Sequence, residues 1–492
     1  MPALTHDFRQ YVVLRVEGAI LEAYRSRRFD PVLGAIAAAL GVHPSDIHDH
    51  EIEVGAVPTL ALERSAPKAD PVDDPEPSEI IISYRFSTRD AFERFSTALA
   101  RHFARRDGAA KHVIVAAGAD PRGISLCDMR RACHARSFGT RTDMRARIGT
   151  AHLPTFNLTG EGVHVCIVDQ GLNMQAIEAQ SPGSWGGGWN LVAYGNPSNP
   201  VAPVTKVVAG TAPRESHGVM MARNILDIAP KAKLYDLPLI PPLIADADTF
   251  ASMAHAAFKA IIESIEKRRQ KPGRENEAWI LVNAWAIFDR SSEEPLGGYT
   301  MDQSEQTNIA GQGSMQLTGN HPLNREVSRA CERSGIDVVF GAGNCGSFSG
   351  SRRCGARDRG EGRSIWGANA HPGVVTVGAV STYGSWMGYS SQGPAPWGGT
   401  KKPDLVAPSQ FREDDDAAII NSGTSAATAI TAGVMAAVRS NPTEDWGPKV
   451  ISPAALKAVM IASAFGQGGI WNERTGHGLL DVTALCQTLP TS

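Results

Sequence analysis

The chain has 492 residues, 42% of them hydrophobic and 20% charged, and its formal net charge is -3. This is the composition of a soluble globular protein of two or three domains, and the near-neutral balance excludes a broad attraction to nucleic acid or to a membrane surface. The opening residues, Met1 to Gln10, lack a basic region followed by an apolar core, and no stretch is long enough to span a bilayer, so the expected residence is cytoplasmic.

Tyr11 to Val16 reads as a strand and Ala19 to Leu40 as a helix with a break near Phe29-Asp30-Pro31. Ile52 to Leu62 has room for another strand, and Arg64 to Glu79, rich in Pro and Asp, reads as a flexible linker or long loop. Glu79 to Phe86 reads as a strand, Thr88 to Arg106 as an amphipathic helix and His112 to Ala117 as a strand. The alternation predicts a small α+β domain over residues 1–117. Residues 118–154 follow as a basic connector carrying Arg122, Arg130, Arg131, Arg136, Arg141, Arg145 and Arg147, either a site of cleavage or a solvated, partly helical linker. Cys127, Cys133 and His134 have no recognised zinc spacing, and no metal is expected there.

From residue 155 the pattern changes. Val163 to Val168 is an apolar strand that ends in Asp169, just before Gly171. A carboxylate at the C-terminal end of a parallel strand points into the crevice where α/β proteins keep their sites, although an Asp there also serves simply to cap a turn. Glu215-Ser216-His217-Gly218 opens a helix, so the His217 ring is either aimed back at the strand ends or is an ordinary first-turn histidine. Ile280 to Ala286 is another apolar strand. Residues 288–320, polar and rich in Gly, form a loop before the helix Asn324 to Arg333 and read as a lid, an exosite or plain variation. Val338 to Phe340 is a buried strand running through Gly341, Ala342 and Gly343 into Asn344, whose carboxamide suits either an oxyanion or a left-handed turn.

Of the seven cysteines at least one must stay unpaired, and Cys166 reads as core. A bridge between Cys345 and Cys354 would stiffen the segment after Asn344, but in a reducing cytosol two thiols are the expectation. The acid run Glu413 to Asp416 reads as a solvated loop. Gly423-Thr424-Ser425 lies between the apolar run Ala417 to Ile420 and the alanine-rich run Ala426 to Val438, which makes a strand, a tight turn and a helix with a serine in its first turn. A helix N-terminus favours developing negative charge on that hydroxyl, yet such a turn alone is usually only a capped helix.

A serine nucleophile needs a base, and the base needs an orienting carboxylate. Asp169, His217, Asn344 and Ser425, in that order, resemble the pattern of the subtilisin-like serine proteases, the subtilases. The resemblance covers about residues 155–487 and takes in Gly373 to Val380, Tyr389 to Pro394, Lys402 to Pro408, Ser452 to Lys457 and Gly476 to Asp481. It implies an α/β, three-layer domain with a mostly parallel central sheet and the site at the C-terminal ends of the strands. It implies that Asp169 orients, His217 is the general base, Ser425 the nucleophile and Asn344 an oxyanion donor, the Ser425 backbone N–H being the other. It further implies that Asn283, Ala284, Trp285 and Ala286 on one side, and Gly341, Ala342 and Gly343 on the other, bind an extended peptide by β-augmentation.

The chain also departs from the family pattern. Ala284-Trp285-Ala286 stands where subtilases usually have Ser-Leu-Gly or Ser-Trp-Gly, and the Ala286 methyl is expected to narrow the specificity pocket. Ala426 stands where Met is frequent and Ala429 where Pro is usual. Sedolisins, which share a similar Gly-Thr-Ser turn, use a Glu base and an oxyanion-hole Asp, and His217 and Asn344 separate this chain from them. The direct run from His217 to Pro230 leaves no room for the calcium loop that many secreted subtilisins insert, so neither calcium nor another cofactor is expected.

The expected activity is peptide-bond hydrolysis through an acyl-enzyme, by an intracellular processing or effector protease of narrow or regulated specificity acting on protein or peptide. The alternative is a catalytically silent protein that keeps the fold to hold peptides. Subtilases often carry a unit like residues 1–117 as a folding propeptide that caps and inhibits the site within the same chain. The competing expectation is a permanent sensor or docking module.

Overall fold

A computed structural model describes residues 8–26, 28–47, 51–56, 59–61, 79–104, 113–120, 123–125, 137–193, 205–240, 250–287, 321–348, 354, 358–395, 399–441, 450–466 and 469–489. The N-terminal elements in chain order are β1 (Phe8–Arg15), α1 (Ala19–Arg25), α2 (Phe29–Leu40), β2 (Ile52–Ala56), β3 (Thr59–Ala61), β4 (Glu79–Phe86), α3 (Arg89–Ala104), β5 (Val113–Ala119) and β6 (Gly123–Ser125). Strands β2-β4-β1-β5 form an antiparallel sheet. One face, with Val12, Leu14, Ile82, Tyr84 and Phe86, buries against Ile36 and Leu40 of α2 and Phe95 and Leu99 of α3. The helix expected from Ala19 breaks earlier than the sequence suggested, at Arg25. Pro31 then falls in the first turn of α2, where its missing N–H leaves no helical bond unmade.

The remaining elements are α4 (Arg141–Ile148), β7 (Val163–Val168), α5 (Met174–Gln180), β8 (Trp185–Gly188), β9 (Asn190–Ala193), β10 (Thr205–Val207), α6 (His217–Ile228), β11 (Lys233–Leu237), α7 (Phe250–Arg269), β12 (Ala278–Asn283), β13 (Trp285–Ile287), α8 (Pro322–Ser328), β14 (Asp337–Gly341), β15 (Val375–Val380), β16 (Leu405–Pro408), β17 (Phe411–Arg412), β18 (Ile420–Asn421), α9 (Gly423–Arg439), α10 (Pro453–Ala462), β19 (Phe465–Gly466), β20 (Gly478–Leu479) and α11 (Val482–Gln487). Nine strands form the central sheet in the order β19-β20-β16-β15-β14-β12-β7-β11-β8, with every neighbour parallel except the β19–β20 edge pair. The largely apolar strands β7, β12, β14 and β15 are buried along their whole length, as parallel strands covered on both faces must be. Helices α6 and α9 pack Ile225, Ile430 and Val434 against Val165, Ile280 and Val339 on one face. Helix α7, with Phe258, Ile261 and Ile262, covers Leu281, Val338 and Phe340 on the other.

Two sequence expectations are corrected here. Residues 137–154 are not an exposed connector: Met144 and Ile148 of α4 belong to the core under the sheet. The buried Arg141 guanidinium meets both oxygens of Glu413 (2.5 and 2.7 Å) and lies 3.1 Å from Asp227 and from Asn224. Asp414 accepts from the Thr142 N–H (3.1 Å) and hydroxyl (2.9 Å) at the start of α4. The first half of the acid run is thus an anchor for α4, because a cation taken out of water requires partnered carboxylates. Phe138 N–H also donates to the Gln410 carbonyl at 2.6 Å. The linker 64–78, the connector residues Arg122, Cys127, Arg130, Arg131, Cys133, His134 and Arg136, and the loop 288–320 lie outside the described residues.

The N-terminal sheet rests on α7 and α8. The Tyr11 ring meets His255 (5.8 Å between centroids) and His321 (5.7 Å). Asp120 accepts from Ser252 N–H (3.0 Å) and Oγ (2.6 Å), capping the first turn of α7 from the neighbouring sheet, and Lys259 of α7 pairs with Glu79. Strand β3 extends the β10-β9 ribbon. Strand β6 pairs antiparallel with β13, setting Ser125 opposite Trp285, Ile124 opposite Ala286 and Gly123 opposite Ile287. Among the described residues no helix is long and apolar enough to cross a membrane.

Candidate active site

Asp169 ends β7 and is buried, with its Oδ1 accepting from the following Gln170 N–H at 2.6 Å. Its carboxylate also receives the His217 imidazole, Nδ1 lying 2.7 Å from Oδ1 and 2.9 Å from Oδ2. That contact places the ring proton on Nδ1 and leaves the Nε2 lone pair available as a base. His217 opens α6 behind Ser216, whose hydroxyl accepts from Val219 N–H (3.3 Å) and donates to the Gly171 carbonyl (2.8 Å). Gly218 is needed at the next position, since a Cβ there would sit 2.4 Å from the same carbonyl. The histidine helix is therefore pressed directly onto the loop that follows Asp169.

Ser425 lies in the first turn of α9, after Gly423 (φ 74°), where only glycine is unstrained and where a Cβ would come within 3.1 Å of Asn344 Nδ2. The Asn344 carboxamide is oriented by Thr424, whose N–H (3.0 Å) and hydroxyl (3.1 Å) both meet Oδ1, turning Nδ2 toward the Gly423–Ser425 side. Gly343 N–H in turn donates to the Thr424 hydroxyl at 3.2 Å. The sequence reading missed this role of Thr424, and its place between Gly423 and Ser425 was the signal available for it. His217 Nε2 and Ser425 Oγ are both buried, and neither has a hydrogen-bond partner. A His217–Ser425 hydrogen bond, expected from the sequence, is thus not formed in the structure.

The expected peptide-binding residues divide. The strand read as Ile280 to Ala286 breaks at Ala284, after which Trp285–Ile287 leaves the central sheet to pair with β6. Asn283 is fully buried, and its side chain faces the sheet interior rather than a cleft. Nδ2 lies 3.3 Å from the Leu281 and Val339 carbonyls, and Oδ1 accepts from the Trp285 indole at 3.2 Å. Trp285 is likewise core, its ring edge-on to Phe250 and Phe340 at 4.9 and 4.8 Å, so that only its backbone is offered to a partner strand. Ala284 and Ala342 are buried. Ala286 faces Gly343 across the gap between them: a Cβ on Gly343 would lie 3.7 Å from the Ala286 methyl.

Asn369, which no sequence pattern singled out, ties the two sides together. Its Nδ2 donates to the carbonyls of Trp285 (2.9 Å) and Gly341 (2.7 Å). Cys345 and Cys354 form a disulfide, against the expectation of two thiols, and the bridge closes a short ring directly after Asn344. The physical reason is proximity: the two Cα atoms stand 5.8 Å apart, within the range that a disulfide spans. Among the described residues no group of three or more His, Cys, Asp or Glu could hold a metal ion.

The profile of the subtilase family matches residues 160–478. Among solved structures, MycP1 with its N-terminal propeptide removed is 18% identical, with a TM-score of 0.43 over 71% of this chain and 98% of that one. MycP1 from Mycobacterium smegmatis is 17% identical, with a TM-score of 0.42 over 76% of this chain and 92% of that one. Fervidolysin from Fervidobacterium pennivorans, a keratinolytic enzyme related to subtilisin, is 16% identical, with a TM-score of 0.48 over 99% of this chain and 61% of that one. No curated protein sequence matches the chain.

Proposed function

The chain belongs to the subtilase family, and from that premise we propose that it is a serine endopeptidase working through Asp169, His217 and Ser425. The observation that carries the reading is the 2.7 Å contact between the His217 ring and a buried carboxylate, with Nε2 left unoccupied on the same ring. In the proposed cycle His217 Nε2 takes the Ser425 proton as Oγ attacks the peptide carbonyl. The oxyanion receives hydrogen bonds from Asn344 Nδ2 and the Ser425 N–H, His217 returns the proton to the leaving amine, and water then releases the acyl group by the reverse path. Covalent labelling by a fluorophosphonate, lost in Ser425→Ala, tests this.

The specificity proposal rests on Ala286. Its methyl occupies space opposite Gly343 that a glycine would leave open. Ala286→Gly is expected to raise kcat/KM for a large aromatic residue on the acyl side of the cut, relative to alanine, by roughly ten-fold, the scale of one or two methyl-sized contacts. A peptide library digested by both proteins and read by mass spectrometry checks the ratio.

The N-terminal region is proposed to be an intramolecular inhibitor. Strand β6 takes up the backbone edge of Trp285–Ile287 that an extended substrate would use. Burial pushes the Asp120 carboxyl up to about 6, against the pull of its Ser252 hydrogen bonds. An undocked Asp120 would titrate near the ordinary carboxylate value, so the protonated form favours docking. Docking is tightest below pH ~4 and loses about 3 kcal/mol as the pH rises through about 6. Hydrogen exchange in the Ser425→Ala chain should accordingly show less protection of Ser252 and Met253 at pH 7.5 than at pH 4.5, and equal protection would remove this linkage. Autoprocessing, if the strand is a leaving propeptide, is expected between Ser125 and Phe138, the two ends that the fold holds. Intracellular work, the other sequence expectation, is the part of the reading that the Cys345–Cys354 bridge argues against, since such bonds persist in oxidising compartments.

A further inference from the structure

Asp236 lies on β11, beside β7, opposite Ile167 in the parallel register and so two positions before the level of Asp169. It is buried. Its Oδ2 accepts from the Gly210 N–H at 2.7 Å, the Leu172 N–H bears on the same carboxyl, and Oδ1 is enclosed with no hydrogen-bond partner. A half-satisfied carboxylate in the core works against folding, so the family fold gains nothing in stability from an acid here. Burial raises this carboxyl to about 7, and the charge of Asp169 adds to the rise. The other ionisable group facing it is the Cys166 thiol on β7, pushed up by burial and then by Asp236 itself.

What the acid does hold is the loop after Asp169. Leu172 and Gly171 are adjacent, and the Gly171 carbonyl is the group that receives the Ser216 hydroxyl and leaves Gly218 no room for a side chain. Gly210 is tied to the same segment, its carbonyl accepting from Met174 N–H at 2.9 Å. The seat of the histidine helix is therefore built on amides that converge on one carboxyl group.

We propose that Asp236 is a positioning residue for the serine–histidine chemistry: it fixes the Gln170–Leu172 loop on which His217 is seated and sets a second negative charge beside Asp169. This rests on the peptidase reading above, and it names a residue outside the triad whose acid function serves the reaction rather than the fold.

The test compares Asp236→Asn, which keeps an acceptor for the two amides but removes the charge, with Asp236→Ala, which removes both, in the full chain. For Asp236→Asn the thermal midpoint at pH 8 is expected to rise by roughly 2–4 °C. The folded-state pKa lies above the unfolded one, so the ionised side chain reduces stability as pH climbs from about 4 to 7, and the gain of the Asn variant should shrink as pH falls through that window. The pH at half-maximal fluorophosphonate labelling of Ser425 should move down by roughly 0.5 unit, because one negative charge fewer leaves the imidazolium less stabilised. Asp236→Ala should label about ten-fold more slowly at every pH. A lower thermal midpoint for the Asn variant, or an unmoved labelling midpoint, overturns the proposal, since either is what a purely structural carboxyl would give. A wild-type chain that labels at no pH overturns the peptidase reading itself and the positioning role with it, whereas a labelling wild type with an unmoved variant midpoint overturns the positioning role alone.

Discussion

Replacing Ser425 by alanine is expected to abolish fluorophosphonate labelling and to lower peptide hydrolysis by roughly 10^4- to 10^6-fold, the scale for removing a nucleophile that acts as a unit with its base. The fold should be indifferent to the change. Ser425 Oγ makes no hydrogen bond, so the substitution orphans no partner, and the alanine methyl enters a helix already built from small residues. Thermal midpoints of the two proteins should agree within a degree or two. A variant that keeps hydrolytic activity would place the nucleophile elsewhere. A wild type that never labels would favour the peptide-holding alternative.

The second large effect concerns β6. Ile124→Pro removes a backbone N–H and inserts a ring into a strand that has Ala286 directly opposite, which a ladder of this length does not tolerate. With the ladder lost, the uncut chain should label at least ten-fold faster than wild type, while the catalytic region keeps its thermal midpoint, because none of its own core contacts changes. The comparison is best made on chains shown by mass spectrometry to be intact. An unchanged rate would mean that β6 does not obstruct the site, and the N-terminal region would then be read as a docking module.

The residues proposed as catalytic were legible because each sits at a junction that sequence marks locally. Asp169 closes an apolar run, His217 follows a serine cap, Asn344 ends a strand in glycines and Ser425 opens an alanine-rich helix. Their order then brought the family and its parallel sheet with it. What was not legible depends on long-range partners. Arg141 looked like one of many connector cations until Glu413, more than 250 residues away in sequence, was seen beside it. Asn369 and Asp236 are single polar residues in apolar surroundings, and nothing in their neighbours tells which carbonyl or amide they meet. Asn283 shows the opposite error, a polar residue at the right place along the strand whose amide points into the sheet. The break after it was hidden because Trp285 and Ala286 are apolar on either reading.

The buried grip on α4 has a consequence for reversibility. Arg141 is locked to Glu413 and Phe138 is bonded to the chain at Gln410, so a cut made upstream of Phe138 would leave the downstream end where it is. The tether that keeps β6 at an effective concentration in the millimolar range would be gone, and the released portion would have to return as a separate molecule, competing at whatever dilution the surroundings impose. On the proposed inhibitory reading, severing one bond would thus act as a ratchet, and the onset of activity would be set by removal of the detached piece.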